Sequence, residues 1–405
     1  MITAVTFDGA PEQGTINFSV GQPSADLLPL ALLRGACGRF FASAQPLELN
    51  YGERQGDARF RAALAAFLSD PGGGETSPQS LMLTAGISQA LDFVCSRLTR
   101  PGDTVFVEEP SYPYSFQIFR DHGLKIVGIP LDGQGMDMEQ CERQLAEHRP
   151  KLLYTIPAYN NPTGQTLSQE RRERLVALSR KYGFIIAADE VYQLLHHGEP
   201  PPASFGTMAG HGNVLSLGSF SKILAPGLRL GWIQTNAELM GILTASGVLV
   251  SGGNFNHFTS HVVRQLIENG ELTPFIAHLR SNYAARAEAM DKALHTHLDG
   301  IATWQKPQGG YFFWLRLLDG IATWQKPQGG YFFWLRLPAH IDAEDFQAAG
   351  RDASTGFMSG ALCSTAGGLK NCLRLSFAHY TVPDIHEGIA RLGRAMRAVR
   401  GTFIA

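Results

Sequence analysis

The chain has 405 residues, 44% of them hydrophobic, with 34 basic and 36 acidic side chains and a formal net charge of −2. No basic block points to nucleic acid, and no apolar run of about 18 residues points to a membrane span. The stretch Met1–Asp8 has neither the basic nor the apolar region of a signal peptide. Cysteines at 37, 95, 141, 363 and 372 are scattered without CxxC spacing, and the histidines show no ligand spacing. Reduced thiols, a cytoplasmic protein and no metal site are therefore expected.

Residues 1–20 read as an irregular arm, and Gly21-Gln22-Pro23 turns the chain. Helices are predicted from about Pro29 to Ala42 and over Ala58–Leu68, separated by the glycine-punctuated loop Leu49–Gly56. From Leu81 short apolar runs alternate with helices. Strands are expected at Leu81–Thr84, Thr104–Val107, Lys125–Ile129, Lys151–Ile156, Phe184–Ala188, Val214–Leu217 and Leu230–Thr235. A helix is expected over Ala90–Leu98. Another starts at Ser168, a good N-cap with Glu170 in the first turn, and is closed by Gly183. Residues from about 236 to Leu298 read as helical, and a mixed region containing the apolar strand Leu373–Phe377 follows. The pattern predicts an α/β fold, a mostly parallel sheet with helices on both faces, joined to a smaller α+β domain.

Ligands bind beyond the carboxyl ends of strands in such sheets. Ser88, Tyr112, Asn161, Asp189 and Lys222 all fall just after predicted strands. Lys222 lies in Ser219-Phe220-Ser221-Lys222, with Arg229 seven residues on. A desolvated lysine loses its proton near neutral pH and becomes a nucleophile. Ser219, Ser221 and Arg229 are groups that hold a phosphate monoester. Gly86-Ile87-Ser88-Gln89 opens a helix, whose N–H groups suit an anion. A nucleophilic amine beside a phosphate site fits pyridoxal 5′-phosphate, PLP. Asp189 would pair with its pyridinium N–H, Tyr192 and Asn161 would donate to its phenolic oxygen, and Tyr112 would stack on its ring. Arg374 offers a planar fork to an α-carboxylate. Each residue also has a plainer reading: a solvated lysine, an N-cap for Asp189, a β-turn for Asn161-Pro162-Thr163-Gly164, a core aromatic for Tyr112, an internal ion pair for Arg374.

Together these motifs resemble the fold type I PLP-dependent aminotransferases, within them the class I/II group that includes kynurenine and 2-aminoadipate aminotransferases. The resemblance runs from Gly21-Gln22-Pro23 to Arg374. Its most specific pieces are Asn161-Pro162-Thr163-Gly164, Asp189-Glu190-Val191-Tyr192, and Ser219–Lys222 with Gly227–Gly231. It implies an amino-acid aminotransferase in which Lys222 holds the cofactor and shuttles a proton. Ser88, Ser219, Ser221 and Arg229 would hold the phosphate, helped by the Ile87 backbone and by Tyr51 from a partner subunit. Arg374, Gly21 and Asn161 would bind substrate. It also implies a homodimer with shared sites, and a division into 1–48 (arm and part of the small domain), 49–280 (cofactor domain) and 281–405 (small domain).

The chain departs from the family pattern in three places. Ile87 stands where a hydroxyl residue is common. No Lys or Arg precedes Arg34, which disfavours a dicarboxylate donor and favours neutral or aromatic ones. Leu298–Leu317 and Leu318–Leu337 are identical, each reading LDGIATWQKPQGGYFFWLRL. The family has one slot for this unit. The second copy is expected to fill it, with the first extruded at a surface Asp-Gly turn. A β-lyase or decarboxylase would use the same lysine and aspartate. A PLP-type transcription regulator needs a basic winged-helix domain ahead of Gly21, and the 20 residues that precede it contain no Lys or Arg.

Overall fold

The computed structural model describes residues 14–69, 74–298, 302–304, 314–317, 331–337 and 342–403. Its strands are β1 (Ile16–Asn17), β2 (Leu81–Thr84), β3 (Thr104–Glu109), β4 (Lys125–Asp132), β5 (Gly135–Met136), β6 (Pro150–Thr155), β7 (Ile185–Asp189), β8 (Val214–Ser219) and β9 (Gly231–Gln234). They continue with β10 (Ala302–Trp304), β11 (Trp314–Leu317), β12 (Phe332–Arg336), β13 (Thr355–Gly356), β14 (Met358–Ser359) and β15 (Cys372–Ser376). The large sheet has eight strands in the order β2-β9-β8-β7-β6-β3-β4-β5. Its centre, β8-β7-β6-β3-β4, is parallel, and β9 is antiparallel to both neighbours. The link from β8 to β9 is too short for a helical crossover, so the chain doubles back. That hairpin link carries Lys222 and Arg229.

Alternation along the strands explains why both faces are covered. Val105, Val107, Leu152, Tyr154, Ile185 and Ala187 pack into one cluster, whereas Phe106, Leu153, Ile186 and Ala188 pack into another on the opposite face. Helices Met138–Glu147 and Gln169–Tyr182 close the second cluster. The second of these starts and stops as its sequence requires. Ser168 accepts the Arg171 N–H, and Gly183 takes the left-handed conformation at φ 77°. From β3 the chain goes to β4 on one side and later to β6 on the other, so strand order reverses between β3 and β6. That reversal opens a crevice at their carboxyl ends.

Several expected boundaries move. The helix after β2 begins at Ile87 rather than Ala90, which puts Ile87 and Ser88 in its first turn behind Gly86 at φ 86°. The arm expected to be irregular contains β1, which pairs parallel with β13. Among the described residues, no helix is long and apolar enough to cross a membrane.

The second sheet has five strands, β10-β11-β12-β15-β14. The second repeat copy supplies β12, antiparallel to β15. The first copy supplies β10 and β11, and these described residues join the same sheet instead of being extruded. β11 lies parallel to β12 with identical residues opposite one another: Trp314 with Trp334, Leu315 with Leu335, Arg316 with Arg336. An extruded strand would leave its N–H and C=O groups without strand partners, and pairing with its twin satisfies them in a matching register. Period-two alternation in LDGIATWQKPQGGYFFWLRL predicts that Tyr311, Phe313, Leu315 and Leu317 face one side, but those side chains lie outside the described residues.

Candidate active site

Lys222 sits in the β8–β9 link. Its Nζ donates to Gly21 O at 2.7 Å and lies 5.0 Å from the Tyr331 ring centroid. Burial lowers its pKa to about 8, and the Arg374 charge adds to the effect against the opposing pull of Asp189. Asp189 ends β7 and is buried. It accepts from Tyr154 Oη at 2.8 Å and from the Val191 N–H at 3.3 Å. Burial raises its pKa to about 6, and the Tyr154 bond opposes that rise.

A second group gathers at the N-terminus of helix Ile87–Leu98. Arg229 has left-handed backbone at φ 47°, and its Nη2 donates to Ala85 O at 3.0 Å. Its Nη1 reaches Ser221 Oγ at 3.5 Å, and Ser219 Oγ donates to Ser221 Oγ at 2.9 Å. A Cβ on Gly86 would stand 2.8 Å from Arg229 Nη2, so glycine is what lets the guanidinium close on the helix end. Ser88 lies in the first turn of that helix. A guanidinium, two hydroxyls and free helix N–H groups form an anion cradle that fits the phosphate of PLP.

Arg374, in β15, is 2% exposed. Its Nη1 donates to Asn161 Oδ1 at 3.1 Å and its Nη2 to Ser19 O at 2.7 Å, while the Phe332 ring centroid lies 3.6 Å from its Cζ. No carboxylate of the described residues pairs with it, and its Nε is buried without a hydrogen-bond partner. The internal ion pair that the sequence left open is therefore not formed among those residues. Tyr192 is buried edge-on to Tyr331 at 5.3 Å. Its pKa is pushed well up by burial and then by the Asp189 and Tyr112 charges. Tyr112 begins helix Pro113–Asp121, and its hydroxyl is raised by burial and by Asp189.

The fold thus brings together Lys222, Asp189, Asn161, Tyr192, Tyr112, Gly21 and Arg374, with Ile87, Ser88, Ser219, Ser221 and Arg229 beside them. It does not bring Tyr51, which is 83% exposed. Three residues escaped sequence reasoning. Tyr154 had a signal, since a tyrosine inside a buried strand needs a partner for its hydroxyl. Tyr331 and Phe332 had none, because the repeat offers each of them twice.

The profile of the family "Aminotransferase class I and II" matches residues 13–392. The chain belongs to the class I and II aminotransferases. It is 31% identical over 379 residues to an uncharacterized HTH-type transcriptional regulator, YdfD, of Bacillus subtilis, covering 93% of this chain and 73% of the relative. It is 30% identical over 387 residues to aromatic-amino-acid aminotransferase 1 of Thermococcus litoralis, covering 94% and 88%. The alpha-aminoadipate aminotransferase LysN of Thermus thermophilus, solved with N-(5′-phosphopyridoxyl)-L-leucine, superposes with a TM-score of 0.83 at 28% identity. That match covers 96% of this chain and 94% of LysN. The fold is therefore fold type I, and the protein is a PLP-dependent transaminase acting on amino and oxo acids.

Proposed function

We propose that this aminotransferase takes neutral or aromatic amino acids as donors, and that Lys222 is the residue that carries its cofactor. One observation carries the reading. Gly21 O takes the Lys222 ammonium, Ser19 O takes Arg374, and the Phe332 ring crowds Gly21 while lying over Arg374. Nucleophile and carboxylate receptor are thus held by carbonyls two residues apart in the turn after β1. When bound, PLP supplies an electron sink for charge developing at the substrate Cα.

The chain's own residues do the rest. Lys222 Nζ anchors the cofactor and moves the proton at the substrate Cα. Asp189, kept charged by Tyr154, holds a proton on the ring nitrogen. Arg374 already spends Asn161 Oδ1, which leaves the Asn161 amide to donate to the phenolic oxygen alongside Tyr192. Tyr112 stacks on the ring. Ser88, Ser219, Ser221, Arg229 and the Ile87 N–H hold the phosphate. Arg374 Nε is the open donor for the substrate carboxylate.

Leu47, Leu49, Tyr51, Val248, Val250 and Phe258 are exposed apolar side chains, which supports a homodimer in which Tyr51 reaches the partner's phosphate site. The division at residues 48 and 280, and a cytoplasmic location, complete the reading. Borohydride reduction of the PLP-loaded protein followed by peptide mapping tests it: the label should sit on Lys222, and a label on another lysine would overturn the assignment. A ligand-sensing role like that of a regulator predicts PLP binding without turnover, which the same preparation distinguishes.

A further inference from the structure

Glu108 is the next-to-last residue of β3, at the point where strand order reverses, and the chemistry above makes no use of it. It is 1% exposed. Its Oε1 accepts from Thr155 Oγ1 at 2.6 Å, and its Oε2 accepts from the Ile156 N–H at 2.9 Å and from Asn160 Nδ2 at 2.7 Å. All three donors belong to the end of β6 and the segment that follows it. Among the described residues no Lys, Arg or His forms an ion pair with this carboxylate, and burial pushes its pKa up to about 7. A buried, unpaired carboxylate is costly to keep. A side chain with no acceptor here would leave the Ile156 N–H and the Asn160 amide buried without their partner.

Asn160 is gripped from its other end as well. Its Oδ1 accepts from the Thr163 N–H at 3.1 Å and from Thr163 Oγ1 at 2.9 Å. Its backbone N–H donates to Gln165 O at 2.8 Å, and its carbonyl accepts the Gly164 N–H at 2.7 Å. The next residue, Asn161, is the one whose side chain meets Arg374. Resting on the PLP reading above, we propose that Glu108 is a positioning residue: through Asn160, its carboxylate fixes where the Asn161 side chain stands between Arg374 and the cofactor's phenolic oxygen.

The test compares the PLP-loaded parent with Glu108→Ala, Asn160→Ala and the double variant. A weakened donor to the phenolic oxygen leaves that oxygen more basic. The pH midpoint of the bound cofactor's visible band should therefore rise by about half a unit or more in each single variant. A displaced Arg374 partner should raise KM for the oxo acid about fivefold, with a smaller change in kcat. Because the two residues form one link, the double variant should shift no further than the larger single one. If both single variants lose only thermal stability, with midpoint and KM as in the parent, Glu108 is merely structural and the proposal is overturned. Should Glu108→Ala not fold, Asn160→Ala decides by the same two readouts. A parent that takes up no PLP overturns the reading beneath and this proposal with it, whereas a yellow parent with unmoved variants overturns this proposal alone.

Discussion

Tyr154 donates its hydroxyl hydrogen to Asp189 at 2.8 Å, from the neighbouring strand of the same sheet. The bond favours the charged carboxylate, against the burial that raises the Asp189 pKa to about 6. Tyr154→Phe removes the donor and leaves the ring in place. The Asp189 pKa should then climb above its present value, so that the carboxylate is lost at a higher pH. Affinity for PLP at neutral pH should fall about tenfold, the scale of one hydrogen bond to a charged group. Fluorescence titration of the cofactor-free protein across pH 5–8 checks this, and an affinity equal to the parent's throughout would count against it.

Capture of PLP by the cofactor-free protein should depend on pH through Lys222. The amine attacks only when neutral, and its pKa is lowered to about 8. Below that value the protonated fraction dominates, so the capture rate should rise with pH, pass half-maximum near 8 and level off above it. A midpoint near the ordinary lysine value would mean that the site does not desolvate the amine. Lys222→Ala should abolish both capture and turnover at every pH.

Gly21 has no room for a side chain. A Cβ there would overlap the ring of Phe332, which covers Arg374. Gly21→Ala should therefore push that ring off the guanidinium, at a stability cost of about 1–3 kcal/mol. KM for the amino donor should rise more than kcat falls. Steady-state kinetics beside thermal melting separate the two effects, and an unchanged KM would show that the ring can yield without disturbing Arg374.

Donor preference follows from Arg374 and its aromatic surroundings, Tyr112, Tyr192, Tyr331 and Phe332. Phenylalanine, leucine or methionine should give a higher kcat/KM than 2-aminoadipate. The reverse order would require a second basic side chain in the pocket and would sink the reading.

The repeat makes its own prediction. Trp334, in the second copy, is fully buried in a small cluster with Met358, Cys363 and Cys372. Trp334→Phe should destabilise the protein by about 1–3 kcal/mol, read as a lower melting temperature, and an unchanged melting temperature would show that this cluster does not support the fold. The 385 residues that remain when one 20-residue copy is removed from 405 should keep full activity. They should also aggregate less, since β10 and β11 extend an edge that can pair with another chain.

The order of elements was legible in the sequence because each rests on local rules. Apolar runs such as Ile185–Ala188, short and set between Gly183 and Asp189, read as strands covered on both faces. Ser168 and Gly183 end a helix by satisfying its own backbone, and Lys222 announces itself through Ser219, Ser221 and Arg229 within one short stretch. Partners distant in sequence were not legible. Nothing local says that Tyr154 rather than another hydroxyl meets Asp189, that Glu108 grips Asn160, or that Gly21 O receives Lys222 Nζ, because strand order and register decide those meetings. The repeat is the limiting case. Two identical segments carry identical propensities, so the sequence offers Tyr311 and Tyr331 on equal terms. Only the pairing of β12 with β15 and the packing of Tyr331 against Lys222 distinguish them, since the chain connections on either side of each copy differ where the residues do not.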